Sequence, residues 1–447
     1  MTTIERPRAQ HDLGGLANLD RLVGPTGVVG GIHALPTHPG DPAFGINVAV
    51  LGNMTPLAAN IAEAVGGTST RADMDGAGGA LDPRRARRLC VAEALERYSS
   101  CIVDTEQLQW ATATELGDEA VDLTTFPACS PTELAHPDCF VHPIDPDGRQ
   151  RWVRGWSLTE QRPKWVPAAS VWLRFAARTP AERFTSGIST GCATHTDIHQ
   201  AVLSGLCEVI ERDSIALTWL QRIPWPRLEI DWHTPHLAEF AQRHRRSNVE
   251  IDIFDATTDL GIPTFYSLER TPHHARLSQL VMCNTSLDPV DSVAKMLREA
   301  ASSRIALQVE RALPDRVEQY TNVYHGAVHM GRPENAGAFD FLTSTTQTRR
   351  LTDVPHLATG DARADLDLVV RRLTAAGYEA VVVEITTDEA RDVGFRVVRV
   401  IVPGLMPLSF VHTARYLAHP RLFQAPARLG YPVAAEPELN HDPQPFA

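Results

Sequence analysis

The sequence predicts an α+β fold, mixed sheets packed with helices. Three observations predict it. Short apolar runs broken by Gly and Pro, or alternating with polar residues, recur towards both ends of the chain, as in Phe44-Gly-Ile-Asn-Val-Ala-Val50 and Phe395 to Val402; they read as strands. Longer apolar patterns with helical spacing lie between them, over residues 83–100, 196–219 and 289–307. Two of these helices carry the same pattern, Glu-x-x-Glu-Arg, at Glu93, Glu96 and Arg97 and again at Glu208, Glu211 and Arg212.

Taken in order, residues 1–20 read as loosely ordered, and Leu22 to Leu51 as strands and turns. Gly66-Gly67 and Gly76-Ala-Gly-Gly79 mark loops. Asp82-Pro83 opens the first Glu helix, with Pro at the first position, where the missing N–H costs nothing. Residues 110–170 are rich in turns and give no clear elements. Thr185 to Ala193 is a loop of small residues leading into the second Glu helix. Glu250 to Phe254 and Pro263 to Leu268 read as strands. Pro289 to Leu307 reads as a third helix, bearing Arg298, Glu299 and Arg304. Asp367 to Ala376 reads as a helix, and Tyr378 to Glu384 as a strand. The last dozen residues are Pro-rich.

Composition narrows the function. The chain has 447 residues, ordinary globular content and a net charge of −12, which argues against a nucleic-acid or anionic-membrane surface. Its basic residues are almost all Arg; only Lys164 and Lys295 are lysines. The seven cysteines form no Cys-x-x-Cys pair, as expected of a chain in a reducing cytoplasm. No apolar run is long enough for a transmembrane helix, and the N-terminus has no signal-peptide core.

The repeated pattern carries the chemistry. Glu at i and i+3 with Arg at i+4 share one helix face. A single copy describes a solvated face with an ion pair. Two copies meeting would make a cluster of four carboxylates that repel one another unless a cation intervenes. Mg²⁺ takes oxygen ligands from carboxylates and phosphates together, and Arg offers phosphate a planar fork. Both alternatives stand on the pattern alone. The glycines before each helix suit backbone N–H donation to an anion, or a turn needing positive φ. No P-loop is present. His195 and His199 suit helix capping better than zinc, and Cys90, Cys192 and Cys207 suit packing better than nucleophilic attack.

The stretch Thr185-Ser-Gly-Ile-Ser-Thr-Gly-Cys-Ala193, followed by Ala201-Val-Leu-Ser-Gly-Leu-Cys-Glu-Val-Ile-Glu-Arg-Asp213, resembles the central signature of the YcaO superfamily. Ala86 to Tyr98 resembles its first ATP-binding helix, and Asp255 to Pro263 and Leu297 to Arg304 resemble later segments. The resemblance covers roughly residues 20–447. It implies the YcaO fold with a non-P-loop ATP site between helices, and ATP and Mg²⁺ as cofactors. It implies Glu93, Glu96, Glu208 and Glu211 as metal ligands. Arg97, Arg212 and Arg304 would contact phosphate, Glu299 would join the nucleotide site, and Ser186, Ser189 and Ser204 would line it. It implies azoline formation: a Cys, Ser or Thr side chain of a ribosomally made peptide attacks the preceding carbonyl, whose oxygen is phosphorylated and leaves.

The resemblance also divides the chain, into a strand-rich part (1–65), an ATP-binding core (66–410) and a C-terminal segment (411–447). The Pro-rich tail of that segment would enter the active site with Pro443, Pro445 and Ala447. The implied partners are a precursor peptide and a separate leader-peptide-binding protein of the E1-like, ocin-ThiF type, with a homodimer as a further expectation. Two positions depart from the family. Ala77 stands where a Gly-Lys-Gly loop has Lys, with Arg71 as a candidate replacement, and Ser302 stands where Gln is common. Thioamide or amidine formation, and a non-catalytic ATP-binding scaffold, are the alternatives.

Overall fold

The computed structural model describes residues 13–52 and 74–446. Gly66, Gly67, Arg71 and Ala447 lie outside the described residues. Three sheets form the frame. The first is antiparallel, with β1 (Gly31–Leu35), β2 (Gly45–Val50) and β3 (Gly76–Ala80) in that order. Strands from before and after residue 65 thus share one sheet. The second runs β11 (Gln279–Thr285), β10 (Thr264–Arg270), β9 (Glu250–Asp255), β8 (Arg227–Glu229), β12 (Thr348–Arg350), with only the β8–β12 pairing parallel. The third runs β4 (Gln109–Ala111), β5 (Gln150–Ser157), β13 (Val381–Glu384), β14 (Arg396–Ile401), β7 (Cys192–His195), and β6 (Arg162–Pro167) also pairs with β5.

Among helices of eight residues or more we number α1 (Pro83–Ser99), α2 (Ile198–Gln221), α3 (Pro235–Arg245), α4 (Pro289–Gln308), α5 (Val323–Met330), α6 (Ala362–Ala375) and α7 (Arg421–Arg428). The three helices expected to carry chemistry, α1, α2 and α4, begin as their sequences require. Asp82, Asp197 and Asp288 each accept a hydrogen bond from a first-turn N–H, and Pro opens α1 and α4. His195 and His199 serve the α2 cap: Nδ1 of His195 accepts from the Asp197 N–H at 2.9 Å, and His199 Nδ1 lies 3.3 Å from the Asp197 carboxylate.

One expectation is corrected here. Gly76 to Gly79 is not a loop but strand β3, laid against α1 and β2. A Cβ at Gly76 would overlap Cys90 O and Ala94 N, and one at Gly78 would overlap Ala86 O and Cys90 N. Glycine is required because the strand touches the helix backbone itself. The turn-rich stretch 110–170 contains β4, β5 and β6, with Trp152 fully buried. Strand β11 went unpredicted because all seven of its residues are buried, so no alternation betrays it. α1 packs on β2 and β3, α2 lies between β14 and β11, and α4 rests on β11 and β3. The three helices therefore converge where the sheets meet.

Candidate active site

The two Glu-x-x-Glu-Arg copies make the same contacts. Glu93 takes Arg97 Nη2 at 2.7 Å on Oε1 and the Ala77 N–H at 3.0 Å on Oε2. Glu208 takes Arg212 Nη2 at 3.1 Å on Oε1 and the Gly191 N–H at 3.1 Å on Oε2. In each case a strand or pre-strand N–H holds the first carboxylate. Gly191 sits at φ +82°, where a Cβ would overlap Val400 O. The anion that these glycine-rich segments serve is thus a protein carboxylate.

The second carboxylates differ. Glu211 is buried and accepts from the Thr285 N–H at 3.1 Å and Asn284 Nδ2 at 3.3 Å. Burial pushes its carboxyl up to about 7, with Glu299 and Glu208 adding to the rise and Arg212 and Lys295 opposing it. Glu96 is pushed up well above its ordinary range by burial, then by the charges of Glu208 and Glu93. Glu299 on α4 pairs with Lys295 at 3.6 Å, and Glu299 is the main cause of the raised Lys295 pKa, with Glu211 and Glu208 contributing. Five carboxylates thus lie in mutual range with Arg97, Arg212 and Lys295.

The other predicted residues fall as follows. Ser204 is exposed on α2, one turn before Glu208 on the same face. Ser186 and Ser189 lie on the loop entering β7; the Ser186 N–H donates to Tyr416 Oη at 2.9 Å, and Ser189 O accepts from the Cys192 N–H at 2.8 Å. Pro443 and Pro445 are buried, and the ring of Phe446 lies 4.7 Å from the Arg212 guanidinium. Arg304 is corrected. Its side chain is fully buried and spends Nε on Asp41, Nη1 on Glu269 and Nη2 on Thr271, at 2.9–3.1 Å. Nine residues on from Lys295, it points to the opposite side of α4, about 180° away. Its role is to tie α4 to β10 and the 36–44 connection, not to meet phosphate.

Sequence reasoning missed Lys295 as a site residue. Its signal was available: one of two lysines, four residues before Glu299 on a predicted helix. Asn284 had no such signal, because it reaches Glu211 across 73 residues.

Residues 77–406 match the model of the YcaO cyclodehydratase family, described as ATP- and Mg²⁺-binding. The chain belongs to the YcaO family. It is 28% identical over 331 residues to an uncharacterized protein of Methanothermobacter thermautotrophicus, covering 73% of this chain and 80% of that one. Its fold is similar to that of a heterocyclase solved in complex with substrate and cofactor, with TM-score 0.77 and 24% identity, over 97% of this chain but only 57% of the heterocyclase. It is also similar to YcaO from Methanopyrus kandleri bound with AMPPCP and Mg²⁺, with TM-score 0.61 and 20% identity, over 88% of this chain and 90% of that one.

This YcaO chain is an ATP-dependent cyclodehydratase with ATP and Mg²⁺ as cofactors. The donor set fits a hard divalent cation. All its donors are carboxylate oxygens, and the charges of Glu208 and Glu93, which add to the rise that burial gives Glu96, are the repulsion such an ion removes. Among the described residues no three ligands already meet as a closed metal cage.

Proposed function

We propose that this YcaO protein converts Cys, Ser or Thr residues of a ribosomally made precursor peptide to thiazolines or oxazolines. The observation that carries the reading is the course of the tail. It threads beside Trp219, whose Nε1 donates to Asp442 O at 3.1 Å, and ends with Phe446 stacked on Arg212. The Pro-rich C-terminus, the feature that favours azoline-forming members, thereby reaches the carboxylate cluster.

In this reading Glu93, Glu96, Glu208, Glu211 and Glu299 hold Mg²⁺, while Arg97, Arg212 and Lys295 meet phosphate oxygens. Bound ATP supplies the phosphoryl group that makes the amide oxygen a leaving group, and Mg²⁺ supplies the positive charge that lets carboxylates and triphosphate coexist. The side chain of the residue being cyclised adds to the preceding carbonyl carbon. The oxygen leaves as phosphate, the peptide loses one water, and ATP becomes ADP. Pro443 and Pro445 stiffen the tail that brings Phe446 to Arg212, and Ala447 follows as its last residue in the sequence. Ser186, Ser189 and Ser204 line the nucleotide edge. A leader-peptide-binding partner delivers the substrate.

The test uses purified protein, precursor peptide, partner, ATP and Mg²⁺. Mass spectrometry should find one water lost per modified residue, with one phosphate released for each. Glu208→Gln should abolish both. Exchange of oxygen for sulfur would move the enzyme to thioamide formation. Water loss that closes a ring onto an amine would move it to amidine formation. Wild type releasing no peptide-dependent phosphate would sink the catalytic reading.

A further inference from the structure

The segment just before α7 carries a backbone outlier. Tyr416 sits at φ +61°, in the left-handed region that a bulky side chain rarely adopts. It is buried, and its ring packs in a small cluster with Cys129 and Val141. Glu133, itself buried, holds the turn from both sides. One of its carboxylate oxygens accepts from the Arg415 N–H at 2.5 Å, and the other accepts from the Leu417 N–H at 2.9 Å. A strained residue that its neighbours hold so firmly is most often kept for what it positions.

Neighbouring side chains of this turn serve different segments. Arg415 Nη1 donates to Asn440 O at 2.7 Å, on the tail. Tyr416 Oη accepts the Ser186 N–H at 2.9 Å, across 230 residues of sequence. Ser186 opens the loop that leads to Gly191, whose N–H holds Glu208 at 3.1 Å. Arg399 on β14 gives the same loop a second hold, with Nη1 on Ile188 O at 2.7 Å. A line of contacts thus runs from Glu133 through the strained turn to the loop and its carboxylate. A loop of Ser, Gly and Thr has much conformational freedom to lose. Fixing it in advance removes that cost from ligand binding.

We propose that Tyr416 is a positioning residue for the nucleotide site. Its hydroxyl fixes the 186–191 loop, and with it Glu208, in the arrangement that Mg²⁺ and triphosphate meet. Glu133 keeps Tyr416 in the left-handed conformation from which the hydroxyl reaches Ser186. The inference rests on the ATP site described above and adds two residues that act on it through the loop.

Binding of a non-hydrolysable ATP analogue with Mg²⁺ is measured by calorimetry on the full chain without peptide. Stoichiometry counts the folded protein, and affinity reports on the site. Tyr416→Phe keeps the ring and its packing. It should weaken the analogue about fivefold at full stoichiometry, the effect of one lost hydrogen bond. Glu133→Gln should weaken it by a similar factor. The double variant should bind no worse than the weaker single, because both act through the Ser186 bond. Tyr431→Phe, whose ring packs on Trp225, should leave affinity unchanged. Unchanged affinity in Tyr416→Phe overturns the proposal. A loss confined to stoichiometry or melting temperature also overturns it, since that marks a purely structural turn. Losses that multiply in the double variant overturn the route through Tyr416. If wild type binds the analogue yet cyclises no peptide, azoline formation falls and the role of Tyr416 stands.

Discussion

The two Glu-x-x-Glu-Arg helices are alike on their surface and unlike in what they are tied to. Both hold the first Glu between an Arg one turn on and a strand N–H. The residue after the Arg then separates them. On α1 it is Tyr98, whose hydroxyl meets Glu389 at 3.0 Å near the surface. On α2 it is Asp213, fully buried, which takes Arg421 Nη2 at 2.7 Å and the Met406 N–H at 2.8 Å. Arg421 also reaches Asp259 at 2.7 Å. So α2 is wired to α7 and to the tail that follows it, while α1 is located by backbone contact with a glycine strand. The same local pattern thus does two jobs. One copy supplies carboxylates from a tightly packed helix–strand pair, and the other also fixes the segment that delivers the C-terminus.

The comparison breaks most severely at Asp213. Asp213→Ala leaves Arg421 buried without its main partner and should cost roughly 3–5 kcal/mol, measured by denaturant unfolding. Tyr98→Phe should cost only about 1 kcal/mol. Equal costs would remove the distinction between the helices.

The second test is pH. Burial raises the folded pKa of Glu211 from 4.5 to about 7, so the folded metal-free protein holds its proton more tightly than the unfolded chain does. The resulting stability is complete below about pH 4.5 and is lost as pH rises through about 7, on the order of 3 kcal/mol. Glu211→Gln should flatten that fall in thermal scans, and Mg²⁺ with nucleotide, which engage the ionised carboxylates, should reverse it.

The third is Gly78→Ala. A methyl forced against the α1 backbone should destabilise by about 1–3 kcal/mol and weaken nucleotide binding through Glu93, read by calorimetry. Smallest is Phe446→Ala, which removes the stack on Arg212, worth about 0.5–2 kcal/mol. It should slow cyclisation while changing nucleotide affinity less than about threefold. A larger loss of nucleotide binding would mean that the tail belongs to the nucleotide site itself.

Much of this was legible in the sequence, for reasons of period and capping. α1, α2 and α4 were readable because long apolar repeats, and at α1 an Asp82-Pro83 start, are local. β9, β10, β13 and β14 were readable because one face alternates or an apolar run is bounded by turns. Gly76 to Gly79 misled because glycine gives the same text in a loop and in a strand pressed on a helix. Arg304 misled because a helical wheel tells which residues share a face, not which face meets the site.

The sequence by itself determined the chemistry available: paired carboxylates with arginines on helices, an Arg-dominated set of cations, and a Pro-rich end. The tertiary structure alone decided that Lys295 joins them, that Arg304 does not, that Asn284 and the Thr285 amide steady Glu211, and that Phe446 comes to rest on Arg212. Spacing along a helix is fixed by bonds between neighbours in the chain. Contacts across 73 or 223 residues are fixed only by how the sheets and helices pack.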